Sequence, residues 1–174
     1  GCTVVDVSNG PLADVYNGTV ESTHKYYVQI AGTNEGLSGL SGEFLLSANC
    51  GEEFLEQNGS CFPSGTRILV GAEANRSIHG KIQRVFGVHS KKIEDFKLGD
   101  LVLTYNEKNG QKEYKKVKNV IRRKASKLIK ITLSNSNDLI ATPEHPIAVL
   151  ENGQIHWTKF SDLTISQKVM QYRY

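Results

Sequence analysis

The chain has 174 residues, of which 39% are hydrophobic, and a net charge of +3, enough for one ordinary domain with a core of its own. No apolar run approaches membrane length and no signal-peptide pattern opens the chain, which argues against a membrane or export role. Three cysteines are an odd number without disulfide-framework spacing, which favours free thiols in a reducing, cytoplasmic setting.

The charge is unevenly spread. Residues 1–49 carry Asp6, Asp14, Glu21, Glu35 and Glu43 against Lys25, a net −4, and residues 50–60 add −3, leaving +10 on 61–174. A basic half is compatible with a solvated lysine face or with nucleic acid. It comes without a recognition helix or a stacking set of aromatics, so nucleic acid is not expected as a partner. Mutual attraction between an acidic first piece and a basic last piece is the preferred reading.

In chain order, Val15–Glu21 and Lys25–Ile30 are β-branched and aromatic, and read as strands. Ala31–Gly42 is rich in Gly and Ser and reads as an exposed loop. Glu43–Ser47 returns as a strand that leads to Asn49. Thr66–Val70, Leu101–Tyr105, Val117–Ile121 and Leu128–Leu133 follow as strands, the last with clean alternation. Lys108-Asn109-Gly110 and Glu151-Asn152-Gly153 mark hairpin turns. Glu94–Leu103 also echoes Ser161–Met170, as duplicated halves would. The second copy stops near the end of the chain, and residues 1–49 could supply its missing strands.

Two junctions carry chemistry. Asn49-Cys50 pairs a side chain able to cyclise onto its own carbonyl with a thiol able to take over an acyl group. Cys61 opens a β-rich run that holds a T-x-x-H downstream, Thr142 to His145, the set needed to turn a peptide bond into a thioester. The leaving junction precedes the entering one. Taken singly, Cys61 reads as a buried thiol and His145 as a turn histidine; their co-occurrence is what needs an explanation.

The motifs resemble those of inteins and hedgehog-type autoprocessing (Hint) domains. Cys61-Phe62-Pro63-x-Gly65-Thr66 resembles the opening motif, Leu98-Gly99-Asp100-x-Val102 a following strand, and Ala141-Thr142-Pro143-Glu144-His145-Pro146 the T-x-x-H block. Trp157 through Val169 is similar to the end of an N-terminal split-intein fragment. Val15-Tyr16-Asn17-x-x-Val20-Glu21-x-x-His24-x-Tyr26 and Leu45–Cys50 are similar to the histidine block and terminal junction of a C-terminal fragment. Two positions depart from the family pattern: Ala48 stands where a penultimate His is usual, and Thr23 where an Asp often precedes the block histidine. Both assist the last cleavage in the family. Cys50-Gly51-Glu52 resembles an active-site loop of ribonucleotide reductase large chains, which would mark an insertion site.

The resemblance implies an all-β, horseshoe-like Hint fold with a pseudo-two-fold. Residues 1–49 would be a C-terminal fragment, 50–60 a passenger and 61–174 an N-terminal fragment, in circularly permuted order. The implied site residues are Cys61, Thr142, His145, His24, Asn49 and Cys50, with no metal or cofactor because the tethered geometry supplies the effective concentration. The catalytic proton transfer asks for a His145 pKa near neutrality. The expected partner is a complementary intein fragment, in cis, in trans or in a swapped dimer; no nucleic acid, membrane or small-molecule substrate is expected. Two alternatives stand: pieces of two consecutive split inteins acting in trans, and an inert β module.

Overall fold

The computed structural model describes residues 2–20, 25–35, 39–48 and 61–173. Its 15 strands join into one sheet in the order β11-β10-β1-β14-β12-β4-β3-β6-β8-β9-β2-β5, with β13, β15 and β7 paired to the side. They are β1 (Cys2–Asn9), β2 (Asp14–Val20), β3 (Lys25–Glu35), β4 (Gly39–Ala48), β5 (Phe62–Pro63), β6 (Arg67–Ile78), β7 (Lys81–Lys92) and β8 (Leu101–Asn106). The series continues with β9 (Gln111–Lys124), β10 (Ile129–Leu133), β11 (Asp138–Ala141), β12 (Pro146–Glu151), β13 (Gln154–Lys159), β14 (Lys168–Val169) and β15 (Gln171–Arg173). No α-helix occurs among the described residues; Ile93–Asp95 and Phe160–Asp162 form short 3-10 turns. The all-β expectation holds.

Strands from the first and last parts of the chain alternate in this order. β1 lies between β10 and β14, β2 between β9 and β5, and β4 pairs with β12 and β15. The central strands bury both faces. Tyr26 and Val28 enter one cluster with Leu45, Phe62, Ile68, Ile131, Ile147 and Phe160. Tyr27, between them, points the other way and packs with Phe44, Leu46, Leu69, Leu103 and Ala148. Period-2 geometry sends alternate residues to opposite faces, so a strand covered on both sides reads as a continuous apolar run. This is why Phe44-Leu45-Leu46 shows no alternation. β10, covered on one face, keeps it.

One expectation fails here. Ala31–Gly42 is mostly strand: β3 and β4 continue past the core as a hairpin, with Gly32 opposite Gly42, Thr33 opposite Ser41 and Asn34 opposite Leu40. Backbone pairing between two strands already held in register extends through residues whose side chains give little propensity. The turns at Lys108–Gly110 and Asn152-Gly153 are present, the latter with φ of 52° and 76° at its two residues.

The Glu94/Ser161 echo is a repeated local structure. Each copy is a 3-10 turn, then a buried apolar residue, Phe96 or Leu163, then an exposed one, Leu98 or Ile165. A positive-φ residue follows, Gly99 at 87° and Ser166 at 80°. The Asp100 carboxylate accepts the Lys97 N–H at 2.9 Å, and the Gln167 side-chain carbonyl accepts the Thr164 N–H at 2.8 Å. Cys2 is buried in the main core cluster. Its thiol donates to Gln171 Oε1 at 3.2 Å and accepts from Asn135 Nδ2 at 3.0 Å.

Candidate functional site

The site is built on two short segments. Phe62 and Pro63 form the edge strand β5, where a proline costs no ladder hydrogen bond. The chain then turns: Gly65, at φ 88°, donates its N–H to Glu94 Oε2 at 2.8 Å, and the Thr66 hydroxyl donates to the Pro63 carbonyl at 2.7 Å. This fixes how Cys61 enters the sheet and gives the C-F-P-x-G-T pattern its physical content.

The second segment is the turn between β11 and β12. His145 N–H donates to Thr142 O at 3.1 Å, closing a four-residue turn whose second position is Pro143, where its fixed φ is suited. Cys61 docks on it. The Cys61 N–H donates to Thr142 Oγ1 at 2.9 Å, and the Thr142 N–H donates to the Cys61 carbonyl at 3.0 Å. Thr142 is therefore bonded to the backbone on both sides of the Cys61 α-carbon.

His145 is fully buried. Its ring lies 4.1 Å, centroid to centroid, from Phe62 and 6.2 Å from Phe160. Burial pushes its pKa down to about 3, so the imidazole is neutral at neutral pH. The sequence reading asked for a value near neutrality; the apolar packing removes the solvation on which that value depends. Neither ring nitrogen has a hydrogen-bond partner among the described residues. A neutral imidazole so placed takes up a proton only against the cost of burial.

Cys61 is also buried, in a cluster with Val15 and Leu128. Burial pushes its thiol up; the Arg123 guanidinium opposes this through its charge and a hydrogen bond, and Glu144 adds to it. Arg123 was not singled out in the sequence, where it lies in a run of basic residues. Among the described residues no group of three or more His, Cys, Asp or Glu side chains could hold a metal ion.

The structure thus brings together three of the six expected site residues, Cys61, Thr142 and His145. His24, Asn49 and Cys50 lie outside the described residues. The flanking chain is informative. Ser47, near the end of β4, pairs with Ile147 on β12, two residues after His145, and its hydroxyl donates to Tyr26 O at 3.2 Å. Ala48 pairs with Lys25 on β3.

The site is thus a buried cysteine docked on a T-x-x-H turn inside an all-β sheet. Residues 83–173 match the family model of the intein splicing domain; this is more than half of the chain, and the protein belongs to that family. It is a protein-splicing domain. The match takes in Thr142 and His145 and leaves out Cys61 and the first 82 residues. No curated protein matches the chain.

Proposed function

We propose that residues 1–49 and 61–174 act in cis as one permuted splicing domain that excises residues 50–60 as a cyclic peptide. The observation that carries this reading is convergence. The chain leaves β4 one residue after Ser47, which pairs with Ile147, and resumes at Cys61, which bonds Thr142. The described residues that flank this stretch, Ser47 and Cys61, thus both pair within the segment from Thr142 to Ile147 that holds His145.

The steps follow from the groups present. The Cys61 thiol proton passes to the neutral His145 imidazole, and sulfur attacks the Ser60 carbonyl carbon. The S–C bond forms, the C–N bond to Cys61 breaks, and the proton is returned to the departing nitrogen. Thr142 Oγ1, already bonded to that N–H, orients it and stabilises the charge that develops. The Cys50 sulfur displaces Cys61 from the thioester and closes a ring over 50–60. The Asn49 side-chain amide nitrogen then attacks its own backbone carbonyl, with His24 aiding that carbonyl, and expels the Cys50 nitrogen, leaving a succinimide. The freed amine takes the acyl group from sulfur and leaves an amide between Ser60 and Cys50.

Mass spectrometry of the intact protein over time tests this order. Asn49→Ala traps a lariat, residues 1–60 with the Ser60 carbonyl on the Cys50 sulfur, alongside released 61–174. Ala48→His drains the parental lariat towards the free ring. Lariat and ring each weigh one water less than their linear forms. If Asn49→Ala yields free ring at the parental rate, the permuted mechanism is wrong.

A further inference from the structure

A thiol whose pKa is raised by burial is a poor nucleophile, and something must favour its anion. β9 carries two consecutive arginines whose side chains alternate across the strand. Arg122 is spent on the surface: its Nη2 bonds Asp14 Oδ2 at 2.7 Å, and its guanidinium lies 5.6 Å from the Tyr16 ring centre. Arg123 has the other parity. It stands opposite Val15 on β2, and Val15 stands opposite Pro63 on β5. Val15 packs in the buried cluster with Cys61. Arg123 is half-buried, its Nε is shielded from solvent, and this register puts its side chain on the face of the Cys61 thiol, whose pKa its charge and hydrogen bonding lower.

We propose that Arg123 is a further catalytic residue, the cation that holds the Cys61 sulfur as thiolate for the acyl shift. This rests on the role of Cys61 as the first nucleophile. As the thiol proton moves to His145, the anion left on sulfur is paired with the guanidinium. Sulfur then attacks the Ser60 carbonyl carbon, the C–N bond breaks and the proton reaches the Cys61 nitrogen. Arg123 stays charged throughout, and the step is an isomerisation with no water and no redox partner. Among the described residues the charged groups that act on the thiol are Arg123 from β9 and Glu144 from the turn before β12. The remaining neighbours, Val15, Ala125, Leu128 and Ile140, are apolar.

The test is release of 61–174 from the full chain by excess hydroxylamine, followed across roughly pH 6–10, the range in which a thiol titrates. The parental rate rises with pH and levels off at the apparent pKa of Cys61. Removing an opposite charge from close range raises a thiol pKa by about 1–3 units. Arg123→Gln therefore displaces the profile upward by that amount, with release about tenfold or more slower at neutral pH and the high-pH plateau kept. Arg123→Lys, which keeps the charge and loses the planar fork, is displaced less. Arg122→Gln superposes on the parent.

A rate lowered equally at every pH, with an unmoved midpoint, would make Arg123 structural and overturn the proposal. So would a superposable profile. If Arg123→Gln does not fold, as judged by circular dichroism, Arg123→Lys decides: an upward displacement supports the proposal and superposition on the parent overturns it. Cys61→Ala run alongside separates two failures. Release that survives Cys61→Ala overturns the role of Cys61 itself, and with it that of Arg123. Release abolished by Cys61→Ala but indifferent to Arg123 overturns only the role of Arg123 as the thiolate's counter-ion.

Discussion

An imidazole in an apolar site with no partner for either nitrogen among the described residues costs stability, and the cost depends on pH. The folded pKa of His145 is about 3 and the ordinary value 6.5, so between these the unfolded chain binds the extra proton. Stability therefore falls as pH drops from about 6.5 towards 3, by up to about 1.4 kcal/mol per unit from this group. In a Cys61→Ala background, which removes acyl transfer, urea unfolding should show this slope and His145→Gln should remove it. Parallel stability curves for the two proteins would mean that His145 is not held neutral. The turn that buries it was legible, since Thr-Pro-x-His places proline where a turn wants it. The depth of burial was not, because it depends on Phe62 and Phe160, 83 and 15 residues away. Arg123 was illegible for a related reason: only strand parity separates it from Arg122.

Among elements, the repeated turn shows what a one-dimensional echo can and cannot carry. The Glu94/Ser161 alignment is weak in identity, yet each position has the same job in both copies, down to Asp100 and Gln167 receiving the N–H three residues before them. Gly99 and Ser166 share a left-handed backbone, which costs a residue with a Cβ about 1–2 kcal/mol. Gly99→Ala should therefore destabilise by about 1 kcal/mol, although the added Cβ would meet open space. Ser166→Gly should be neutral or slightly stabilising, the relief being offset by the freedom glycine gains when unfolded. Thermal melts of both variants check this, and an equal loss from each would show that backbone conformation does not set the difference. Elsewhere composition misled. Ala31–Gly42 looked like loop because its side chains favour none, and the β6–β7 hairpin went unseen because His79-Gly80, at φ 51° and 76°, puts histidine where Asn or Asp usually signals the turn.

At the scale of the whole molecule, two forces act between the early and late segments. Three described ion pairs join them: Asp14–Arg122 at 2.7 Å, Glu43–Arg173 at 3.0 Å and Lys25–Glu107 at 3.5 Å. The two arginines are 68% and 76% exposed, and exposed pairs stabilise little. The durable contacts are apolar, with Val4, Val20, Tyr26, Val28 and Leu45 packed among Phe62, Ile68, Ile131, Ile147 and Phe160. If 1–49 and 61–174 are made as separate chains, charge should thus govern encounter and the core should govern residence. Net charges of −4 and +10 steer association at low salt, and the steering fades as the screening length shortens to about 8 Å near physiological ionic strength. Stopped-flow mixing should show an association rate that falls with salt and a dissociation rate that barely moves. A dissociation rate that climbs with salt in step with the fall in association would assign the interface to ion pairs rather than packing. Absence of binding even at low salt would leave the two segments as parts of two different inteins, each needing a partner elsewhere.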